Sequence, residues 1–160
     1  MNKTECYEEL LANAKALMGP EDDLIARMAN VSSLLYHHLS HINWAGFYRS
    51  SGNQLLVGPF QGKPACTPIA YGKGVCGTCA VTAKIQCIAN VHMFPGHIAC
   101  DAASKSEIVV PLIEKDTVIG VLDLDSDVYD HFDEIDIRYV SILVEMMLTH
   151  NVCESRMSQD

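Results

Sequence analysis

Two of the seven cysteines stand in loop-like segments near a basic side chain, which is the setting of a reactive thiol. Cys100 follows His97 by three residues in an irregular polar stretch, and Cys66 follows Lys63 by three residues in a glycine- and proline-containing segment. A loop cysteine is accessible, and a nearby cationic or protonatable group favours its thiolate, the form that attacks electrophiles. The pattern therefore predicts nucleophilic or redox chemistry at Cys100 and Cys66.

Other cysteines stand in a different context. Cys6, Cys87 and Cys153 fall within helix or strand patterns, and Cys79 falls within a predicted short helix. A free cysteine in such a pattern usually packs as a small hydrophobic side chain. We therefore predict that these four thiols are buried and structural.

Three carboxylates are expected to lie close together. Alternation along the predicted strand 118–125 places Asp123 and Asp125 on one face, and Glu107 begins the strand predicted to pair with it. Two interpretations are open: a solvated strand end, or a pocket that binds a cation such as the ammonium group of a ligand. Crowded carboxylates raise one another's pKa, which would leave one able to donate a proton near neutral pH.

Aromatic residues mark a second candidate surface. Trp44, the single tryptophan, is followed by Gly46 and Tyr48 on a predicted strand. Core packing is the default interpretation for these rings. The alternative is a ring face over a small ligand, since tryptophan is the best face for a methyl or cationic group.

Two metal-binding patterns occur, and neither is favoured. Cys76 and Cys79, followed by His92 and His97, match the spacing of a zinc finger, but Pro95-Gly96 would break the helix that presents both histidines. The same Cys-x-x-Cys pair could instead be a thioredoxin-like redox motif at a strand-to-helix turn.

A calcium-loop pattern from Asp123 to Glu134 has Val128 where the sharp turn needs glycine, and a strand precedes it instead of a helix. We therefore predict no metal ion.

Charge and composition exclude several classes of function. The 160 residues carry a net charge of −9 with 49% apolar residues, which predicts a folded acidic domain and no nucleic-acid partner. No run of eighteen apolar residues occurs, so no membrane segment is expected. Glu5, Glu8 and Glu9 stand where a signal peptide needs its apolar region, which predicts a cytoplasmic protein. In that reducing compartment a disulfide framework is not expected.

The elements that must position these residues follow from apolar periodicity and turn residues. We predict helices over 2–17 and from 21 to 39, a hairpin of strands 44–48 and 55–60, a short helix within 74–84, a strand over 85–89, a second hairpin of strands 108–113 and 118–124, and a last helix capped by Asp133. Helices that flank hairpin-linked strands indicate a single α+β domain with an antiparallel sheet covered by helices. Its parts are the N-terminal helices in 2–40, the sheet and candidate active-site loops in 43–126, and the C-terminal helix in 133–151.

Six sequence motifs resemble a known family in consistent order. They are WAGFY at 44–48, GPFQGKPAC at 58–66, GKGVCG at 72–77, VHMFPGHIACD at 91–101, SEIVVPL at 106–112 and GVLDLDS at 120–126. Together they resemble the free methionine-(R)-sulfoxide reductases, which are built on a GAF domain. The resemblance runs from about residue 43 to residue 136, and it implies one GAF domain over residues 1–160.

The resemblance implies a role for each thiol. Cys100 would attack the sulfoxide, Cys66 would resolve the product as a disulfide, and Cys76 would be a further redox-active partner. It also implies an enzyme with no bound cofactor that acts as a cytosolic homodimer and is reduced by thioredoxin, with NADPH supplied through thioredoxin reductase. Cys79 beside Cys76, and Met93 inside the active loop, depart from the family pattern.

The resemblance assigns the acids and aromatic residues to the substrate. Glu107, Asp123 and Asp125 would hold and protonate free methionine-(R)-sulfoxide, and Trp44 would line the pocket for its methyl group, with Tyr48 beside it. This agrees with the chemistry of the residues, because a sulfoxide sulfur becomes electrophilic only once its oxygen is protonated. A thiolate and an acid are therefore needed side by side.

Two other functions are compatible with the sequence. GAF domains also serve as sensors that bind small ligands without catalysis, and a reactive cysteine near a resolving one would equally suit a thiol redox switch. A sensor or switch reacts at most once per protein, whereas an enzyme turns over with reductant.

Overall fold

Four helices and six strands make up the chain in the computed structural model, which describes residues 1–20, 23–98 and 100–157, with side chains up to residue 149. The helices are α1 (Lys3–Met18), α2 (Leu24–His38), α3 (Gly74–Thr82) and α4 (Glu134–Met157). The strands are β1 (Ile42–Ser51), β2 (Gln54–Gly62), β3 (Ile69–Ala70), β4 (Gln86–Ile88), β5 (Ser106–Glu114) and β6 (Thr117–Ser126).

All six strands form one antiparallel sheet in the order β3-β2-β1-β6-β5-β4. The prediction of an α+β domain with an antiparallel sheet flanked by helices is confirmed. No helix within the described residues combines the length and apolar character that a bilayer crossing requires.

Side-chain caps mark the starts of three of the four helices. Asn2 caps α1 in a reciprocal capping box with Glu5, and the Asp133 carboxylate accepts a hydrogen bond from the Ile135 amide at 2.9 Å, as predicted for the last helix. Asp23 caps α2 by accepting from two backbone amides. The other two residues of the predicted acidic start, 21 and 22, lie outside the described residues. Helix α4 continues to Met157, six residues beyond its predicted end.

The sheet is buried on both faces, which sets alternate residues of each strand in two separate cores. One face packs against α1, α2 and α4 through side chains such as Phe47 and Leu122. The opposite face, here called the α3 face, packs against α3 and the loops through side chains such as Tyr48 and Val121. Alternation along β1 and β6 therefore decides which side chains reach the α3 face, where the candidate site lies.

The cysteines outside the loops differ in their burial. Cys79 is fully buried, and its thiol donates to the Val109 carbonyl at 3.8 Å, as its interpretation as a packing residue predicts. Cys6 is only half-buried. The prediction for Cys87 is wrong: this thiol is exposed, because β4 is a three-residue strand at the edge of the sheet. The side chain of Cys153 lies outside the described residues.

Gly46 is required by close packing between β1 and β2. A Cβ atom at this position would overlap the Cβ of Phe60 and approach the Pro59 carbonyl oxygen at 2.9 Å. The Phe60 ring stacks on Trp44 with ring centroids 5.2 Å apart. The absence of a side chain at Gly46 thus lets the aromatic wall of the α3 face form.

We expect Gly46→Ala to lower the free energy of unfolding by about 1–3 kcal/mol, because a methyl group has no space beside Phe60. Urea denaturation monitored by tryptophan fluorescence measures this change. The matched control is Gly19→Ala at the end of α1, where an added Cβ meets only ordinary contacts of 3.5–3.6 Å. Equal stability of the two variants would contradict the packing argument.

Candidate functional site

A cavity opens on the α3 face, between the sheet, the start of α3 and two loops. Its wall combines aromatic, acidic and thiol side chains from segments far apart in sequence. The lining residues include Trp44, Tyr48, Ile69, Lys73, Cys76, His97, Ile98, Cys100, Ser104, Glu107, Asp123 and Asp125. All of the predicted site residues except Cys66 line this cavity, and Cys66 is joined to it by its disulfide with Cys100.

Strand register brings the three predicted carboxylates together. Asp125 of β6 pairs with Trp44 of β1 on one side and with Glu107 of β5 on the other. Asp123 lies two residues before Asp125 on the same face, opposite Gly46. The three acids therefore occupy adjacent positions on the α3 face, as the period-two argument predicts.

Burial decides between the two interpretations of these acids. Glu107 and Asp123 are each only 5% exposed, and Asp125 is half-buried, so they do not form a solvated strand end. The Asp123 Oδ1 atom is buried and has no hydrogen-bond partner. A buried carboxylate oxygen without a partner is costly, which makes this atom a strong acceptor for a ligand donor.

Desolvation raises the pKa of all three carboxyl groups. The pKa of Asp123 is raised to about 6 by burial. Burial raises the pKa of Glu107 well above its usual range, and the charges of Asp123 and Asp125 raise it further. Burial and the neighbouring Asp123 do the same for Asp125. The raised pKa favours the protonated form of Glu107, which makes it the proton donor of the group, while Asp123 with a pKa of about 6 is mostly an anion at neutral pH.

Cys76 is the thiol that faces these acids. It lies in the first turn of α3, is 5% exposed, and its Sγ donates to Glu107 Oε1 at 3.8 Å. Burial raises the pKa of Cys76 well above its usual range, and the three nearby carboxylates add to this effect. Cys76 is therefore protonated and a poor nucleophile in this state.

A disulfide joins the two loop cysteines that the sequence singled out. Cys66 and Cys100 are 34 residues apart in sequence, and their Cα atoms are 5.7 Å apart. Cys66 is half-buried and Cys100 is exposed. The bond therefore lies within reach of solvent and of another thiol.

Hydrogen bonds from β1 hold the loop that carries Cys66. The Trp44 indole Nε1 donates to the Lys63 carbonyl at 3.1 Å, and the Tyr48 hydroxyl donates to the Cys66 carbonyl at 3.1 Å. The Trp44 ring also stacks on Tyr48 with ring centroids 5.7 Å apart. The same two rings thus form the apolar wall of the cavity and fix the loop above it.

The loop that carries Cys100 is held by Asp101. Its carboxylate accepts hydrogen bonds from the Ala103 amide at 2.9 Å and from Asn43 Nδ2 at 3.2 Å. Lys63 Nζ approaches the same carboxylate at 3.9 Å and links the two cysteine loops. The Ala103 hydrogen bond holds the pKa of Asp101 below its usual range. Asp101 is therefore a charged anchor beside the disulfide.

His97 contributes more than the sequence indicated. In the sequence, His97 is notable only as a neighbour of Cys100, but its Nε2 atom lies 3.9 Å from Glu107 Oε2. Burial lowers the pKa of His97, and the nearby His92 adds to this shift, so the ring is neutral at neutral pH. Only the folding of the 90–105 loop over the sheet places this ring against Glu107, so spacing could not reveal the contact.

Among the residues that the structure describes, one group could hold a metal ion: the donor atoms of Cys76, Glu107 and Asp123 lie within 4.8 Å of one another. The group contains neither Cys79 nor the histidines of the zinc-finger pattern. The calcium-loop pattern also lacks its geometry, because Asp123 is buried within β6.

Comparison with known proteins identifies the class. The GAF domain family matches residues 20–147. The chain is 51% identical over 147 residues to a protein of Escherichia coli named free methionine-R-sulfoxide reductase, covering 92% of this chain and 89% of that protein. A protein of the same name from Saccharomyces cerevisiae is 43% identical over 155 residues, covering 92% and 86%.

A solved structure is similar over nearly its whole length. It is the free methionine-R-sulfoxide reductase of Neisseria meningitidis in complex with its substrate, with a TM-score of 0.92, 34% identity, and coverage of 98% of this chain and 95% of that one. Fold and site together define a GAF-domain protein. Within that class, the chain belongs to the free methionine-R-sulfoxide reductase family.

The raised pKa of the Asp123 carboxyl predicts that ligand binding depends on pH. Below a pH of about 6 the group gains a proton and loses the charge that attracts a cation. We therefore expect kcat/KM for an ammonium-bearing substrate to fall on the acid side of about pH 6, because kcat/KM reports groups of the free enzyme. Initial rates between pH 5 and pH 8 measure this acid limb, the fall of kcat/KM below about pH 6. Asp123→Asn is expected to remove the acid limb. An unchanged limb in Asp123→Asn would assign it to another group.

Proposed function

We propose that this protein is an enzyme that reduces free L-methionine-(R)-S-oxide to L-methionine. The observation that carries the proposal is the accessible Cys66–Cys100 disulfide, which borders the cavity that holds Glu107, Asp123 and Asp125. A sulfoxide reductase needs a thiol pair that can become a disulfide, and an acid that protonates the sulfoxide oxygen. Family membership supports the same activity.

In the proposed reaction, the reduced Cys100 thiolate attacks the sulfur of the protonated sulfoxide. The sulfoxide is reduced to methionine, and the oxygen remains on Cys100 as a sulfenic acid. The Cys66 thiol condenses with that sulfenic acid, which forms the disulfide and releases water. Two thiols and one sulfoxide thus give one sulfide, one disulfide and one water molecule.

The three acids have different proposed roles, which follow from their pKa values and their contacts. Glu107 is the proposed acid, because its raised pKa keeps it protonated and because it lies in the cavity beside the neutral His97. Asp123 is the proposed partner of the substrate ammonium, because its buried Oδ1 atom has no hydrogen-bond partner within the protein. Asp125, next to Glu107 across the strands, assists both roles.

Selection for the free amino acid follows from the same charges. A methionine sulfoxide within a polypeptide has no ammonium group to offer to Asp123, so the buried charge would stay unpaired. The stacked rings of Trp44 and Tyr48 supply an apolar wall suited to the methyl group.

Thioredoxin is the proposed reductant, with NADPH supplied through thioredoxin reductase and no bound cofactor. The exposure of Cys100 supports this, because thiol–disulfide exchange needs direct access to a sulfur atom. Cys76 is proposed as a further redox-active partner, since it lines the same cavity as Cys100. We also propose, from the family resemblance, that the protein acts in the cytoplasm as a homodimer.

Turnover tests the activity and separates it from a sensor or a single-use thiol switch. With thioredoxin, thioredoxin reductase and free methionine-(R)-sulfoxide, we expect continuous NADPH consumption. Cys100→Ser should fall to less than about a thousandth of the wild-type rate because it lacks the nucleophile. Cys66→Ser should lose sustained turnover but still form up to one methionine per protein. The matched control, Cys87→Ser, changes an exposed thiol at the sheet edge and should keep full activity.

Wild-type protein that forms at most one methionine, with its thiols confirmed as reduced, would support the switch instead. Wild-type protein that forms none would support the sensor.

Acetylation of the substrate's amino group tests the role of Asp123. N-acetyl-methionine-(R)-sulfoxide has no positive charge, and we expect it to lose nearly all of kcat/KM relative to the free amino acid. The same coupled assay measures it. Similar values for the two compounds would show that the ammonium group is not recognised.

A further inference from the structure

One cluster in the cavity has the composition of a transition-metal site. Cys76 comes from the first turn of α3, Glu107 from the start of β5 and Asp123 from β6, and their donor atoms lie within 4.8 Å of one another. All three residues are 5% exposed. Independently of this proximity, Asp123 Oδ1 is buried without a hydrogen-bond partner, as expected for an atom that receives a ligand.

We propose that Cys76, Glu107 and Asp123 bind Zn²⁺ at the bottom of the cavity, and that the bound ion competes with the substrate. The metal is not a cofactor of the proposed reaction. It is an inhibitor that occupies the position of the substrate's ammonium group. The competition rests on the proposed function, whereas the binding of the ion does not.

The distances suit zinc after small side-chain movements. Tetrahedral Zn²⁺ with a sulfur at about 2.3 Å and oxygens at about 2.1 Å separates sulfur from oxygen by about 3.6 Å and oxygen from oxygen by about 3.4 Å. Cys76 Sγ is already 3.8 Å from Glu107 Oε1. The widest separation in the cluster, at most 4.8 Å, must shrink by no more than about 1.4 Å, which side-chain rotation can supply.

The chemistry of the donors selects the kind of ion. A thiolate with two carboxylates favours a borderline-soft cation such as Zn²⁺ over Mg²⁺ or Ca²⁺, which prefer oxygen alone. A divalent ion also removes the mutual repulsion of three buried acidic groups. His97 Nε2, 3.9 Å from Glu107 Oε2, would orient that carboxylate from outside the ligand set. The fourth coordination position of the ion would face the cavity and bind a water molecule.

Occupancy by metal would block the proposed reaction at its recognition step. The Asp123 oxygen that accepts the substrate ammonium would instead coordinate the ion. Glu107, the proposed acid, would be held as a carboxylate and could not protonate the sulfoxide. Substrate or methionine should therefore weaken metal binding, and metal should weaken substrate binding.

Cobalt titration of the disulfide form tests binding without turnover. Oxidised protein removes Cys66 and Cys100 as ligands, and Co²⁺, which replaces Zn²⁺ in such sites, reports a thiolate ligand by near-ultraviolet charge-transfer absorption. We expect this band to saturate at one ion per chain and to vanish on addition of Zn²⁺. Cys76→Ala should abolish the band, and Asp123→Asn should weaken binding by about a hundredfold. The matched control, Cys79→Ala on the next turn of the same helix, should retain the band.

Each result either supports or overturns the site. A band that survives in Cys76→Ala, or cobalt binding without any band, would overturn it. Loss of the band in Cys79→Ala but not in Cys76→Ala would identify Cys79 as the thiolate ligand and overturn the proposed site. Should Cys76→Ala fail to fold, Asp123→Asn alone decides, because unchanged affinity there excludes the proposed ligand set.

Kinetics then tests the competition. We expect Zn²⁺ to raise the KM for free methionine-(R)-sulfoxide without changing kcat, and a chelator to restore it. Because Zn²⁺ can also bind other thiols of the assay, the coupling enzymes are assayed alone with their own disulfide substrate. Metal binding without inhibition would overturn the competition, while an inactive wild type that still binds cobalt through Cys76 would contradict the proposed function and leave the metal site in place.

Discussion

The burial of three carboxylates against one another is the interaction on which the site depends. Glu107, Asp123 and Asp125 are costly to desolvate, and that cost is met by a sheet whose two faces are both covered. The apolar face packed on α1, α2 and α4 supplies the stability. The α3 face can therefore keep an acidic cluster with raised pKa values and one unpartnered oxygen atom.

The thiols are arranged around this cluster at two levels. Cys76 lies at the bottom, where burial and neighbouring acids keep it protonated. Cys66 and Cys100 lie at the rim, on loops tied down by Trp44, Tyr48 and Asp101. A reducible pair in contact with solvent thus lies above buried acidic side chains, which is the arrangement that the proposed coupling of proton transfer and thiol attack requires.

Much of the site follows from local patterns. Period two on β6 correctly placed Asp123 and Asp125 on one face, and the paired strand brought Glu107 to them. The α+β architecture and the helix cap at Asp133 were also predicted. The error at Cys87 has a simple cause: strand pattern alone does not tell an edge strand from a central one, and edge positions keep contact with solvent.

The sequence by itself determined the residue types, the strand alternation and the family, because these depend on short-range periodicity and on long motifs. Tertiary structure alone decided that Glu107 and Asp123 are buried and that His97 faces Glu107. It also brings Cys66 to Cys100, the pairing that the family resemblance implies. These contacts join residues that are ten to more than thirty positions apart in sequence. They depend on loops, whose conformation is not indicated by any periodic pattern of residues. The pKa values of the acids follow from desolvation, which depends on what covers a residue and not on its neighbours in the chain.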